Sequence, residues 1–181
     1  MSKEILINGI PLTAADLKRL RVIAWVFVAI GALSIIWPVV ATIAVSQLIA
    51  WLLVFSGISG IVMWARLRGH SGGLIALGTA VMGLALGTIF LFYPFVGAGT
   101  LTMMLAVLFL LEAAGSFSIG FALRGKVAGW GWIVASGATA LLMAILIFSG
   151  WPGTATWLLG LLFGLNLLST GISMLMLSRA V

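Results

Sequence analysis

The stretch Val22 to Ala65, VIAWVFVAIGALSIIWPVVATIAVSQLIAWLLVFSGISGIVMWA, runs for 44 residues without a charged side chain. A membrane-spanning helix needs about 20 residues at about 1.5 Å each, so the stretch is twice too long for one crossing and has to fold back. The turn is marked at Trp37-Pro38, where proline cannot continue helical hydrogen bonding and the indole suits the headgroup level. Val127 to Ser178 is a second uncharged run, of 52 residues, with its own marker at Trp151-Pro152, and Tyr93-Pro94 stands between the two. The reading that follows is an all-α fold, an integral membrane bundle of six transmembrane helices at about 20–37, 40–65, 73–93, 97–122, 128–150 and 154–177.

Composition supports a chain dissolved in lipid. Of 181 residues, 64% are apolar and 7% charged, with a mean hydropathy of +1.34, whereas a soluble domain is about half apolar and about a quarter charged. The absence of cysteine excludes disulfides, thiolate metal sites and covalent haem attachment, and a single histidine offers no cluster for zinc. No metal and no cofactor is expected. One Asp, two Glu and one His are too few for an acid–base pair with a nucleophile, and no phosphate-cradling glycine loop with a lysine is present, so catalysis is not expected. The pI near 11.4 does not imply nucleic acid as a partner, because the basic residues form small scattered groups, not a face.

Those groups read as topology signals. Lys18, Arg19 and Arg21, then Arg66 and Arg68 with His70, then Arg124 and Lys126, and finally Arg179 all fall at one side of the six-helix scheme; with Lys3 they account for all 9 basic residues. The turns at Pro38, Pro94 and Pro152 carry none. The positive-inside rule makes the basic side cytoplasmic, with both termini there, and lets the basic pairs meet anionic membrane lipids. Residues 1–17 then form a cytoplasmic tail, mobile over 1–12, with Thr13 and Asp16 opening a brief interfacial helix. Residues 18–181 form one transmembrane domain. The first apolar segment is read as a retained helix, not a cleaved signal peptide, because it is one member of an internal repeat.

Pro38, Pro94 and Pro152 are almost evenly spaced. The shift that carries Pro38 onto Pro94 also carries Gly31 onto Gly87 and Arg68-Gly69 onto Arg124-Gly125, and the one that carries Pro38 onto Pro152 carries Ser56-Gly57-Ile58-Ser59 onto Thr170-Gly171-Ile172-Ser173. The unit is a helical hairpin repeated three times in one orientation, over about 20–68, 73–124 and 128–179. Small residues recur four or three apart, as in Gly83 and Gly87, Ser116 and Gly120, Gly160 and Gly164, and Gly57 with Gly60. They serve close packing within the bundle, or a seam between copies in a homo-oligomer.

Glu112 is the only charged residue inside a span, 18 residues after Pro94 and 12 before Arg124, or about 18 Å of helix from the basic end. A carboxyl at that depth is costly and is expected to face the bundle interior or find a partner, which makes it the candidate functional residue. The same repeat position holds Ser56 and Thr170, while Gln47 and Asn166 add amides, Asn166 at a depth similar to Glu112. These five form a candidate intramembrane polar site. Their bland role is to hydrogen-bond the helices together. His70 reads as a solvated loop residue. Trp37, Trp64, Trp130, Trp132 and Trp151 sit at interface positions, with Trp25, Trp51 and Trp157 inside spans.

The pattern resembles the HdeD-like family of small multi-pass bacterial membrane proteins associated with acid resistance. The resemblance covers nearly all of residues 18–179 and rests on Lys18-Arg19-Leu20-Arg21, the segment from Gly31 to Trp37-Pro38 with its echo from Gly87 to Tyr93-Pro94, the Ser56-Gly57-Ile58 and Thr170-Gly171-Ile172 elements, and the Arg-Gly pairs at 68–69 and 124–125. The third repeat departs most, ending at Ser178-Arg179 without an Arg-Gly pair. The resemblance implies six spans in the inner membrane and a non-enzymatic role in acid or envelope stress. It carries no catalytic residues and no mechanism. Three routes are open: proton or small-solute passage involving Glu112, a structural or chaperone-like module acting through lipids or partner proteins, and a transporter with a polar pocket joining Gln47, Glu112 and Asn166 between the repeats.

Overall fold

The computed structural model describes residues 5–7, 10–12, 14–67 and 72–179. Six long helices dominate: α1 (Ala14–Ile36), α2 (Pro38–Arg66), α3 (Gly73–Phe92), α4 (Pro94–Ala122), α5 (Trp130–Ser149) and α6 (Leu158–Arg179). All six are long and apolar enough to cross a membrane, which makes the chain a multi-pass membrane protein of all-helical class. Pro38 and Pro94 each open a helix, at the position where a missing backbone N–H costs nothing. Pro152 instead precedes a short 3-10 turn, Gly153–Thr156, and α6 starts only at Leu158. Past the end of α4, Gly125 takes φ +76, the left-handed conformation that suits a residue without Cβ.

The tail differs from expectation. Ile5–Ile7 and Ile10–Leu12 form a two-stranded antiparallel hairpin, β1 and β2, with Ile5 opposite Leu12 and Ile7 opposite Ile10. The sequence reading assigns no regular element to these six residues. Residues 1–4, 8, 9 and 13 lie outside the described residues. The brief interfacial helix is simply the first turn of α1.

The helices pair in an order the hairpin reading did not anticipate. The most extensive packing joins α2 to α3, α4 to α5 and α1 to α6, while consecutive α1 and α2 touch little. The reason lies in the connections. On the basic side, loops of several residues let α2 and α3, or α4 and α5, run antiparallel side by side. On the uncharged side a single residue, Trp37 or Tyr93, joins one helix to the next and sends them apart. The triplication still governs the packing, with α1 and α6 forming the third of three equivalent helix pairs.

Buried residues obey the repeat position by position. Ser46, Thr102 and Gly160 are buried at one register of α2, α4 and α6; Ala50, Ala106 and Gly164 at the next; Gly57, Ala113 and Gly171 at the third. In α1, α3 and α5 the matching sets are Ala24, Ala80 and Gly137, then Gly31, Gly87 and Ala144, with α5 one residue short of the shift that carries Pro38 onto Pro152. The contacts repeat too. A Cβ on Gly57 would lie 2.9 Å from the carbonyl of Ala80, and one on Gly171 would lie 2.9 Å from the carbonyl of Ala24, the repeat counterpart of Ala80. Backbones this close need small residues, because lipid supplies no hydrophobic force to press bulkier helices together. The glycine pairs singled out in the sequence thus serve packing inside the bundle.

Candidate functional site: the polar side chains of the bundle

The first turns of α2 present three polar side chains that clasp the other two turns on the uncharged side. Buried Thr42 accepts at Oγ1 a hydrogen bond of 2.8 Å from the backbone N–H of Gly160, the third residue of α6. First-turn N–H groups lack a partner within their own helix, so the hydroxyl caps α6 from outside. Buried Ser46 donates to the carbonyl of Pro94 at 3.0 Å, and half-buried Gln47 donates through Nε2 to the carbonyl of Leu91 at 3.1 Å. Leu91 lies in the last turn of α3, where carbonyls are likewise orphaned. At the end of α5 the carbonyl of Ile147, the repeat counterpart of Phe90, is served by Thr154 of the 3-10 turn at 3.1 Å. Thr102, the repeat counterpart of Ser46, is fully buried, and its Oγ1 has no hydrogen-bond partner.

The five candidates do not come together. Gln47 is spent on the clasp. Ser56 is exposed on α2 and Thr170 is half-buried on α6. Glu112 and Asn166 are both exposed on the outside of α4 and α6, and neither bonds to a described residue. The expectation that Glu112 turns inward is therefore corrected. The buried stripe of α4 runs through Thr102, Ala106, Ala113 and Gly120, and Glu112, one residue before Ala113, is rotated off it by about 100°. Close backbone approach reserves the inner face for small residues, and the carboxyl is displaced. Of the residues three, four and seven positions on from Glu112, Ser116 packs against Gly137 on α5, whereas Gly115 and Ile119 are exposed. The polar cavity expected to join Gln47, Glu112 and Asn166 does not form.

An apolar groove of about 870 Å³ lies instead between α4 and the 3-10 turn, lined by Phe95, Met103, Val107, Leu108, Trp151 and Thr156 among others. It marks the place where the threefold pattern breaks. Met103 is the repeat counterpart of Gln47, and α4 meets α6 only sparingly where α2 meets it broadly. None of the five polar candidates lines it.

At the basic end, Arg21 donates through Nη2 to the carbonyl of Ser178 at 3.2 Å, tying α1 to the last turn of α6. The Arg124 guanidinium stands 5.5 Å from the Trp130 ring centroid, a cation–π contact across the α4–α5 loop. Arg66 ends α2, and Lys18, Arg19 and Lys126 are exposed. Arg68, His70 and the side chain of Arg179 lie outside the described residues. Among the described residues, no three His, Cys, Asp or Glu side chains gather where a metal could sit. Sequence reasoning missed Thr42, Ser46 and the unpartnered Thr102. The signal available was the alignment of Ser46 with Thr102 under the same shift that carries Pro38 onto Pro94.

A family model, a short repeat of unknown function (DUF308), matches residues 22–85 and again 78–149. The first copy starts at Val22 and the second at Gly78, and the shift between these starts is the one that carries Pro38 onto Pro94. Together they cover α1 to α5 and leave the divergent α6 unmatched. No curated protein and no solved structure matches the chain.

Proposed function

We infer the role of this protein from its family and its geometry together: the chain belongs to the DUF308 family of short repeats, and its ionisable membrane residue faces outward. We propose that it is a bacterial inner-membrane module of the HdeD-like type, with the basic side and both termini cytoplasmic. On this reading it contributes to acid or envelope stress tolerance without catalysis, through contacts with lipids and partner proteins. The observation that carries the reading is the position of Glu112. A carboxyl on the outer face at mid-depth is placed to meet another molecule, while Thr42, Ser46 and Gln47 are occupied in holding helices together. The rival reading, a small-solute or proton-coupled pathway between the repeats, draws no support from Gln47, Glu112 and Asn166, which stand apart.

The test joins two assays. Cells lacking the protein should survive an acid challenge less well than cells complemented with wild type. Liposomes containing purified wild type should then show no more pH-driven proton flux than empty ones. Unchanged survival would sink the stress role. Flux that disappears in a correctly folded Glu112→Gln variant would replace the contact module by a permeation pathway.

A further inference from the structure

One register of the repeat, held by Ser46 on α2, Thr102 on α4 and Gly160 on α6, meets the carbonyl of a fold-back proline. Ser46 donates to the Pro94 carbonyl at 3.0 Å, and a Cβ on Gly160 would run into the Pro38 carbonyl. The repeat assigns Thr102 the carbonyl of Pro152. That bond is missing. Thr102 Oγ1 is buried without a partner among the described residues, and the Pro152 carbonyl accepts instead from the backbone N–H of Ala155 at 3.1 Å, within the 3-10 turn. The gap left on this side is the apolar groove, which Pro152, Gly153 and Thr156 line opposite Gly99 and Met103.

The sequence of this turn suits movement. Gly150 and Gly153 bracket Trp151-Pro152, where the other fold-backs hold Ile36 and Val39 around Trp37-Pro38, and Phe92 and Phe95 around Tyr93-Pro94. Glycine leaves the backbone more conformations than any of these four residues. A Cβ on Gly153 would meet nothing within 4 Å, so packing does not call for glycine there, while one on Gly150 would strike the Thr154 methyl that the 3-10 turn brings over it. We propose that segment 153–157 is a strap with a second, closed position. In that position α6 runs unbroken from Pro152, as α2 and α4 run from Pro38 and Pro94, the Pro152 carbonyl receives the Thr102 hydroxyl, and the strap fills the groove.

The two positions exchange one hydroxyl bond for another. The open one keeps Thr154 Oγ1 on the Ile147 carbonyl at 3.1 Å and leaves Thr102 bare; the closed one satisfies Thr102 and releases Thr154. A carbonyl has two lone pairs, so Pro152 accepts from Thr102 while serving its own helix. The strap thus opens and shuts an apolar recess on the uncharged side of the bundle, and a molecule held in the recess favours the open position. This device is independent of the stress role and operates equally in a chain without any part in acid survival.

Trp151 and Trp157 stand at the two ends of the strap, and 5-fluorotryptophan in the full chain, held in lipid nanodiscs, reports the surroundings of both by fluorine resonance. Trp151→Phe and Trp157→Phe assign the signals. Gly150→Ala crowds the open position, so it should raise the closed-to-open ratio about tenfold and bring up a second resonance for each residue. Adding Thr102→Val should lower that ratio again by about tenfold, the worth of the hydrogen bond removed, whereas Thr102→Ser, which keeps the hydroxyl, should leave it in place. If Gly150→Ala loses its helical fold, Gly153→Val replaces it, since Val39 holds that position in the first fold-back and a Cβ there meets nothing in the open form. A single resonance for Trp151 and for Trp157 in both wild type and the folded glycine variant would overturn the proposal. So would a second resonance whose share is indifferent to Thr102→Val, or is lost equally with Thr102→Ser.

Discussion

The hydroxyl of Thr42 and the backbone N–H of Gly160, 118 residues apart in the chain, form a buried hydrogen bond of 2.8 Å that seats α6 on α2. Thr42→Val keeps the shape and removes the acceptor, leaving a buried N–H without a partner. The cost should be about 1–3 kcal/mol, read as a shift in the unfolding equilibrium in bicelles. A variant as stable as wild type would mean that this contact contributes nothing.

Gly160 and Gly115 predict opposite responses to the same methyl group. A Cβ at 160 would run into the Pro38 carbonyl, so Gly160→Ala should cost about 3 kcal/mol or more, because backbone has to move. Gly115→Ala, which meets nothing, should leave the monomer as stable as wild type or raise its stability by up to about 1 kcal/mol. Thermal denaturation of the two variants side by side checks the pair.

Ser46 and Thr102 occupy one repeat position but differ in hydrogen bonding. Ser46→Ala should destabilise by about 0.5–1.5 kcal/mol, the worth of a helix-to-helix bond in a membrane. Thr102→Val should be neutral or stabilise by about 1 kcal/mol, since it removes a buried hydroxyl that has no partner. Equal losses at both sites would show that the Thr102 hydroxyl is satisfied in the membrane, by a buried water for example.

Orientation is testable because the chain has no cysteine of its own. A cysteine replacing exposed Phe95, on the uncharged side, should react with a membrane-impermeant thiol reagent in intact spheroplasts. One replacing exposed Val127, beside Arg124 and Lys126, should react only after permeabilisation. The reverse pattern would contradict the cytoplasmic placement of the basic side.

Much of this architecture is legible in the sequence because a few residues carry it. Pro38 and Pro94 mark the fold-backs, although α2 and α4 start at the prolines themselves and not at about 40 and 97, and the offset between them aligns the glycines that later prove to touch neighbouring helices. The β-hairpin had a signal as well, Asn8-Gly9 between the apolar triplets Ile5-Leu6-Ile7 and Ile10-Pro11-Leu12, but six such residues carry little weight beside a tail of polar neighbours. Helix partners were not legible, since the apolar surface of a membrane helix runs all the way round and does not mark an inner face. The small-residue stripe does mark it. Had Glu112 been placed against Ala106, Ala113 and Gly120, rather than by the cost of exposing a carboxyl to lipid, its outward direction would have followed.

The pairing of α1 with α6 bears on how the protein is made. A ribosome delivers α2 with α3, and then α4 with α5, as neighbours that can dock soon after each pair enters the bilayer. The first helix waits. Gly31 fits against Gly164 and Leu168, which are translated only with α6, so α1 lacks its main packing partner until α6 has been made. A premature stop within α6 would therefore strand the oldest span of the molecule with an open seam, the kind of exposed surface on which membrane quality control acts.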